Sequence, residues 1–232
     1  MMLNLIKDIC NANNFRVIEF ECGLEIYTSY VAIPKECNKN QEYFLLVTSD
    51  QLSDELVERL LVCDAETMLD NLEKSSFADE SLTKNCTMIL CSLVGSVSDH
   101  SLLKFEENPY HFKKNVISYS SDELMSLNEV LSGDFCNEHL NLLMSADSGQ
   151  TFEKFKSGTI EEGSYFPLLI RIITKLPFVH YIPQSNQLDN IESFVMDALD
   201  GQDIHLLDLI CSRELTQESM NTLILGEWLN HE

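Results

Sequence analysis

The sequence predicts an α+β fold: a small, mostly antiparallel sheet with flanking helices in the N-terminal half, then a helical C-terminal half. Three observations predict it. Four runs between residues 15 and 94 carry strand character, helical apolar spacing brackets them, and from residue 120 onward helical patterns dominate. The 232 residues, 44% hydrophobic and 23% charged, are enough for a buried core in one large domain or two small ones.

Leu3, Leu5, Ile6, Ile9 and Cys10 repeat at helical spacing, and Asn13-Asn14 stops that helix. Phe15 to Glu21 alternates like a strand, and Cys22-Gly23 marks a turn. Leu24 to Ile33 has the aromatic and β-branched content of a second strand, ended by Pro34. Lys35 to Gln41 reads as polar loop. Tyr43 to Thr48 is apolar throughout, which predicts a strand central in the sheet. Ser53 is placed to cap a helix with Asp54 and Glu55 in its first turn and Leu56, Leu60 and Leu61 facing inward. Met68, Leu69 and Leu72 suggest another helix, Lys74 to Asn85 a loop, and Thr87 to Val94 a fourth strand.

Ser120-Ser-Asp-Glu123 is a capping box that opens a helix with Leu124, Leu127 and Leu131 on one face, stopped by Gly133. Phe135 to Met144 reads as helix. Tyr165 to Leu176 is an apolar run that fits a buried strand or a buried helix equally. Three further helices are expected: one carrying Leu188, Ile191, Phe194, Val195, Ala198 and Leu199, one over Ile204 to Cys211, and one capped by Thr216 with Met220, Leu223, Ile224 and Trp228 on a stripe. The change near residue 120 divides the chain into an α/β lobe, 1–120, and a mainly helical lobe, 121–232, either as two domains or as one continuous one.

Fifteen Lys and Arg against 38 Asp and Glu give a formal net charge of −23. Such a surface repels nucleic-acid backbones and anionic membranes, and it speeds encounter with a basic partner. The eight cysteines are scattered without a C-x-x-C pair, which suits free thiols in a reducing compartment and offers no zinc spacing. Cys86 and Cys91, five apart on a strand, point to opposite faces. No leader peptide is visible, and the longest apolar run, Phe166 to Ile173, is too short to span a bilayer. A cytoplasmic protein is expected.

The helix and strand order invites one sharp comparison. Restriction-endonuclease-like nucleases share the core order α-β-β-β-α-β and need an acid near the second strand and a D/E-x-K on the third. Here the third strand is Tyr43-Phe-Leu-Leu-Val-Thr48, and no D/E-x-K occurs in the chain. No phosphate loop, dinucleotide fingerprint, G-x-S-x-G elbow or H-E-x-x-H motif is present. Gly95-Ser-Val-Ser98 reads as a turn. His205 with Asp208 and Asp99 with His100 lack a third partner, and Glu106-Glu107 and Glu161-Glu162 read as solvated charge. Neither a catalytic group, a metal cage nor a cofactor cradle is expected.

One segment differs in kind. Between Leu102 and Tyr119 aromatics are interleaved with Lys104, Lys113 and Lys114, and Asn108-Pro109 predicts that Tyr110 and Phe112 lie in a structured loop. Such a mixture stacks nucleobases, forms a protein interface, or packs a loop onto the core. Three lysines against so much acid favour protein contact over nucleobases.

The stretch Lys104-Phe-Glu-Glu-Asn-Pro-Tyr-His-Phe-Lys-Lys-Asn-Val-Ile-Ser-Tyr119, followed by the capped Ser120-Ser-Asp-Glu-Leu124 helix, resembles the middle component of bacterial ABC-three-component defence systems, to which Lamassu (DdmABC-type) systems belong. The resemblance implies an accessory subunit that joins an SMC-like, DNA-engaging ATPase to an effector nuclease and meets DNA only through the complex. The residues it carries over are Phe105, Glu106, Glu107, Pro109, Tyr110, Phe112, Lys113 and Lys114, as interface or fold-defining positions without catalytic roles. Two other classes compete: an acidic inhibitor (antitoxin, immunity protein or DNA mimic) that blocks a nuclease by charge, and an enzyme with an atypical site.

Overall fold

The computed structural model describes residues 2–35, 42–79, 81–180 and 198–199. The elements below lie in one compact unit, Met1–Ile182. The polar loop read after Lys35, the readings at His205 and Asp208 and the three helices expected beyond residue 186 fall, apart from Ala198 and Leu199, outside the described residues, as do Cys37 and Cys211.

Helix α1, Met2–Ala12, buries Met2, Leu3, Leu5, Ile6, Ile9 and Cys10 along one stripe, as the spacing predicts. It ends where Asn14 adopts a left-handed conformation (φ 66°), which asparagine tolerates better than most residues. Strand β1, Phe15–Glu19, then pairs antiparallel with β2, Thr28–Pro34, and β2 pairs antiparallel with β3, Tyr43–Thr48. The second strand starts later than the sequence suggests because Leu24 to Tyr27 closes a turn, with the Tyr27 N–H donating to the Leu24 carbonyl. Gly23 leads into that turn at φ 80°, and Asn71 sits so close above it, donating to the Cys22 carbonyl at 2.9 Å, that a Cβ there would collide with the amide.

After β3 the chain crosses over through α2, Asp54–Arg59, a π-helical turn, Leu60–Asp64, and α3, Ala65–Glu73. It returns as β4, Cys86–Leu93, parallel to β3. A second crossover, α4, Asp99–Glu107, leads to β5, Lys113–Tyr119, parallel to β4. Antiparallel neighbours need only a short connection, whereas parallel ones require a crossover, so the connection lengths account for the pairing. The sheet order is β1-β2-β3-β4-β5, mixed, with β2 alone running against the others. The α+β class and the central place of β3 agree with the sequence. Strand β5 was not expected, because its first three residues are Lys113-Lys-Asn115 and only Val116-Ile117 is apolar.

Both faces of the sheet are covered, which explains why all six side chains of β3 are buried. On one face Tyr43, Leu45, Val47, Cys86, Met88 and Leu90 pack against Leu56, Val57, Leu60, Met68 and Leu72 of the first crossover and Phe105 of the second. On the other, Phe44, Leu46, Ile89, Cys91 and Ile117 pack against α1 and the later helices. Cys86 and Cys91 do lie on opposite faces. In the π turn, Asp64 is buried, accepting from the Tyr27 hydroxyl and from Arg59 Nε, both at 2.7 Å. Burial, and then that carboxylate, push the Tyr27 hydroxyl pKa up.

The later helices are α5, Ser121–Leu131, α6, Asn137–Met144, α7, Gln150–Lys156, and α8, Tyr165–Lys175. The capping box at Ser120 forms in full, with Glu123 Oε2 accepting the Ser120 N–H at 2.8 Å. The ambiguous run from Tyr165 is a helix, and Pro167 is tolerated because it sits in the first turn, where no intrahelical acceptor is needed. Arg171 of α8 grips Glu123 with two nitrogens, at 2.6 and 3.1 Å, and also donates to the Ser118 carbonyl of β5. The second core thereby joins residues from both sides of position 120.

Candidate interaction surface at the α4–β5 connection

The stretch singled out in the sequence forms α4, a five-residue loop and β5. Ser98 caps α4, accepting from the Ser101 N–H at 3.3 Å. Asp54, from the first turn of α2, accepts from both the Ser98 N–H and its hydroxyl at 2.9 Å, and these bonds hold its carboxyl below the usual range. The start of α4 is therefore fastened to α2. An exposed ion pair between Lys104 and Glu58, at 2.6 Å, ties the same helices further along.

Four of the eight singled-out residues point inward. Phe105 and Phe112 are buried in the core. Glu106 leans over β5, where Oε1 accepts the Val116 N–H at 2.7 Å and Lys175 of α8 at 2.6 Å. Lys114 is 3% exposed, and its ammonium is ringed by oxygen: the carbonyls of Asn108 and Phe112 at 3.1 Å, the Asn108 side chain at 2.9 Å and the Tyr110 carbonyl. Burial draws its pKa down from 10.5 to about 8. This lysine clasps the loop. Asn108 also accepts the Tyr110 N–H at 3.1 Å through its side chain, and His111 takes a left-handed conformation.

The other four, Glu107, Pro109, Tyr110 and Lys113, are exposed. Tyr110 is 67% exposed and Leu103, one turn before Glu107, 54%. Along α4 a depression of about 310 Å³ is lined by His100, Leu103, Lys104, Glu107 and Asn108. The expected mixture of base and aromatic is dispersed by folding. Lys104 is neutralised, Lys114 is a clasp, and two of the aromatics are core, leaving Tyr110 and Lys113 at the surface. That arrangement gives no platform of stacked rings for nucleobases, but it does leave a firmly held loop that exposes one aromatic ring and one base.

The connection lies in the part of the chain that is similar to a known family. Residues 43–141 match the model of ABC-three component (ABC-3C) system Middle Component 1. No curated protein and no solved structure matches the chain. The Middle Component 1 match supports the resemblance drawn from Lys104–Tyr119 and takes in the whole stretch from β3 into α6. All eight singled-out residues fall inside it, whereas α1, β1, β2, α7 and α8 fall outside. The matched residues thus contain the parallel half of the sheet, its two crossovers and the clasped loop.

The nuclease-like order is realised from α1 to β4, yet β3, where a D/E-x-K would stand, is wholly buried and apolar. Among the described residues no group of three His, Cys, Asp or Glu converges as a metal site, and no helix is long and apolar enough to cross a membrane. Helix starts beside parallel strands commonly seat phosphate, but here Asp54 occupies the start of α4 and Glu123 that of α5. Asp99 and His100 are the exposed first residues of α4, Gly95 to Ser98 is a turn, and Glu161-Glu162 is exposed loop. Sequence reasoning took Asn108 only as a break before Pro109, missing its acceptor role, and gave Arg171 no role. A polar residue before proline, repeated as an acceptor for the next turn, was the available signal for the first.

Proposed function

We propose that this chain is a non-catalytic accessory subunit of an ABC-three-component defence system of the Lamassu type, joining an SMC-like ATPase to an effector nuclease and meeting DNA only through the complex. The observation that carries this reading is the Middle Component 1 match, which includes a connection whose inner residues lock a loop and whose outer residues present Leu103, Pro109, Tyr110 and Lys113. Exposed apolar and aromatic side chains on a backbone held rigid from beneath lose little conformational freedom on binding, which is what a docking surface needs. The net charge of −23 adds attraction toward basic surfaces of the other components.

Co-purification from the native context tests the proposal. Both an ATPase and a nuclease should travel with the chain, and Leu103→Ala with Tyr110→Ala should release at least one of them while the circular dichroism spectrum is unchanged. Full retention of both by the double variant removes the surface from the proposal. Substrate turnover by the isolated chain overturns it, and a one-to-one complex with a nuclease alone replaces it with the inhibitor reading.

A further inference from the structure

The two edges of the sheet are finished differently. In β5 the residues facing away from β4 are the even-numbered ones, and charged side chains close that edge: Glu106 takes the Val116 N–H and Arg171 the Ser118 carbonyl. In β1 the Phe20–Ser29 and Asn14–Lys35 bonds show that even residues face β2, so Phe15, Val17 and Glu19 direct their backbone groups outward. Asn11 accepts the Val17 N–H at 3.2 Å from an exposed position. Among the described residues, nothing meets the Val17 carbonyl or the Glu19 N–H and carbonyl. An open edge is a template for another strand.

We infer that the β1 edge takes an extended, basic segment of a partner protein as a sixth strand. The charge selects the occupant. Glu19, Glu21 and Glu25 are exposed where β1 runs into the turn, and they line a depression of about 480 Å³ together with Gly23. A second copy of the chain would bring the same three acids, and another −23 of charge, against them. Lysines at alternate positions of an incoming strand would meet those acids while its backbone bonds Glu19 and, on displacing Asn11, Val17. The inference rests on the reading of the chain as a docking subunit and adds a contact remote from the α4–β5 connection in sequence and outside the family match.

The probe is an acetylated heptapeptide alternating Lys and Val, compared with the same peptide N-methylated along one strand edge, which keeps the charge and removes the ladder donors. Fluorescence anisotropy should show the N-methylated form binding about tenfold more weakly, the loss expected for one or two edge bonds. Amide exchange at Glu19 should slow when the unmodified peptide binds, and Glu19→Pro should weaken it by a similar factor while Tyr110→Ala does not. Equal binding of the two peptides, or unchanged exchange at Glu19, overturns the inference even if the proline variant fails to fold. Dimerisation of the chain alone through this edge overturns it as well. The docking reading is judged separately by the native co-purification: partners lost with Tyr110→Ala but retained when the edge is blocked leave that reading intact and sink this one.

Discussion

Glu106 Oε1 accepts the Val116 backbone N–H at 2.7 Å, so a side chain from α4 supplies the hydrogen bond that a sixth strand would otherwise make to β5. The same oxygen holds Lys175 of α8 at 2.6 Å, which links the two faces of the sheet around its edge.

Glu106→Ala removes both contacts. It should lower unfolding stability by about 1–3 kcal/mol, the range for losing a hydrogen bond to a charged group and leaving a partner short. Glu106→Gln keeps an acceptor for Val116 and should cost about half as much. Urea denaturation of the three proteins checks the order, and equal stability of Ala and Gln variants would contradict the edge bond.

Lys114 gives a pH signature. Its pKa is about 8 when folded against an ordinary 10.5, so between those values the unfolded chain holds more protons at this site. Stability contributed by this group therefore rises as pH climbs from about 8 to 10.5 and is flat below that window. Lys114→Met should unfold about 2–4 kcal/mol more easily at pH 7, because three carbonyls and an amide oxygen lose their donor. The gap between wild type and variant should widen above pH 8, measured by denaturation at several pH values.

Tyr110 and Phe112 are two residues apart and should behave oppositely. Tyr110→Ala removes an exposed ring and should change stability by less than about 0.5 kcal/mol. Phe112→Ala opens a hole in the core and should cost about 3–5 kcal/mol. Thermal melts of the pair distinguish the outward from the inward half of the loop.

Arg171→Lys should destabilise almost as much as Arg171→Met, by about 2–4 kcal/mol. A single ammonium does not reproduce the two bonds to Glu123 together with the one to Ser118. If the lysine variant melts like wild type, the fork geometry is irrelevant.

Much of this architecture was legible because it depends on neighbours in sequence. The apolar run from Tyr43 to Val47 announced a strand buried on both sides, and Ser120 and Glu123 announced a helix start, since both devices are local. The surface was less legible because its electrostatics are settled by distant partners. Lys104 reads as free base until Glu58 neutralises it, and Glu106 reads as solvated acid until Lys175, 69 residues away, meets it. Lys114 misled for a subtler reason: its strand position is inward, and only the folded loop brings enough oxygen to make burial of an ammonium tolerable.

The wide turn at Leu60–Asp64 also governs angular phase. A π turn spends one more residue than an α turn on the same advance along the axis. Were the same residues wound as regular α-helix throughout, α3 would turn by about 100°, swinging Met68 and Leu72 off the sheet and bringing Thr67 and Asn71 toward it. The surplus residue is thus a register key: it lets Asp64 face Tyr27 and the apolar stripe of α3 face the strands in a single continuous rod.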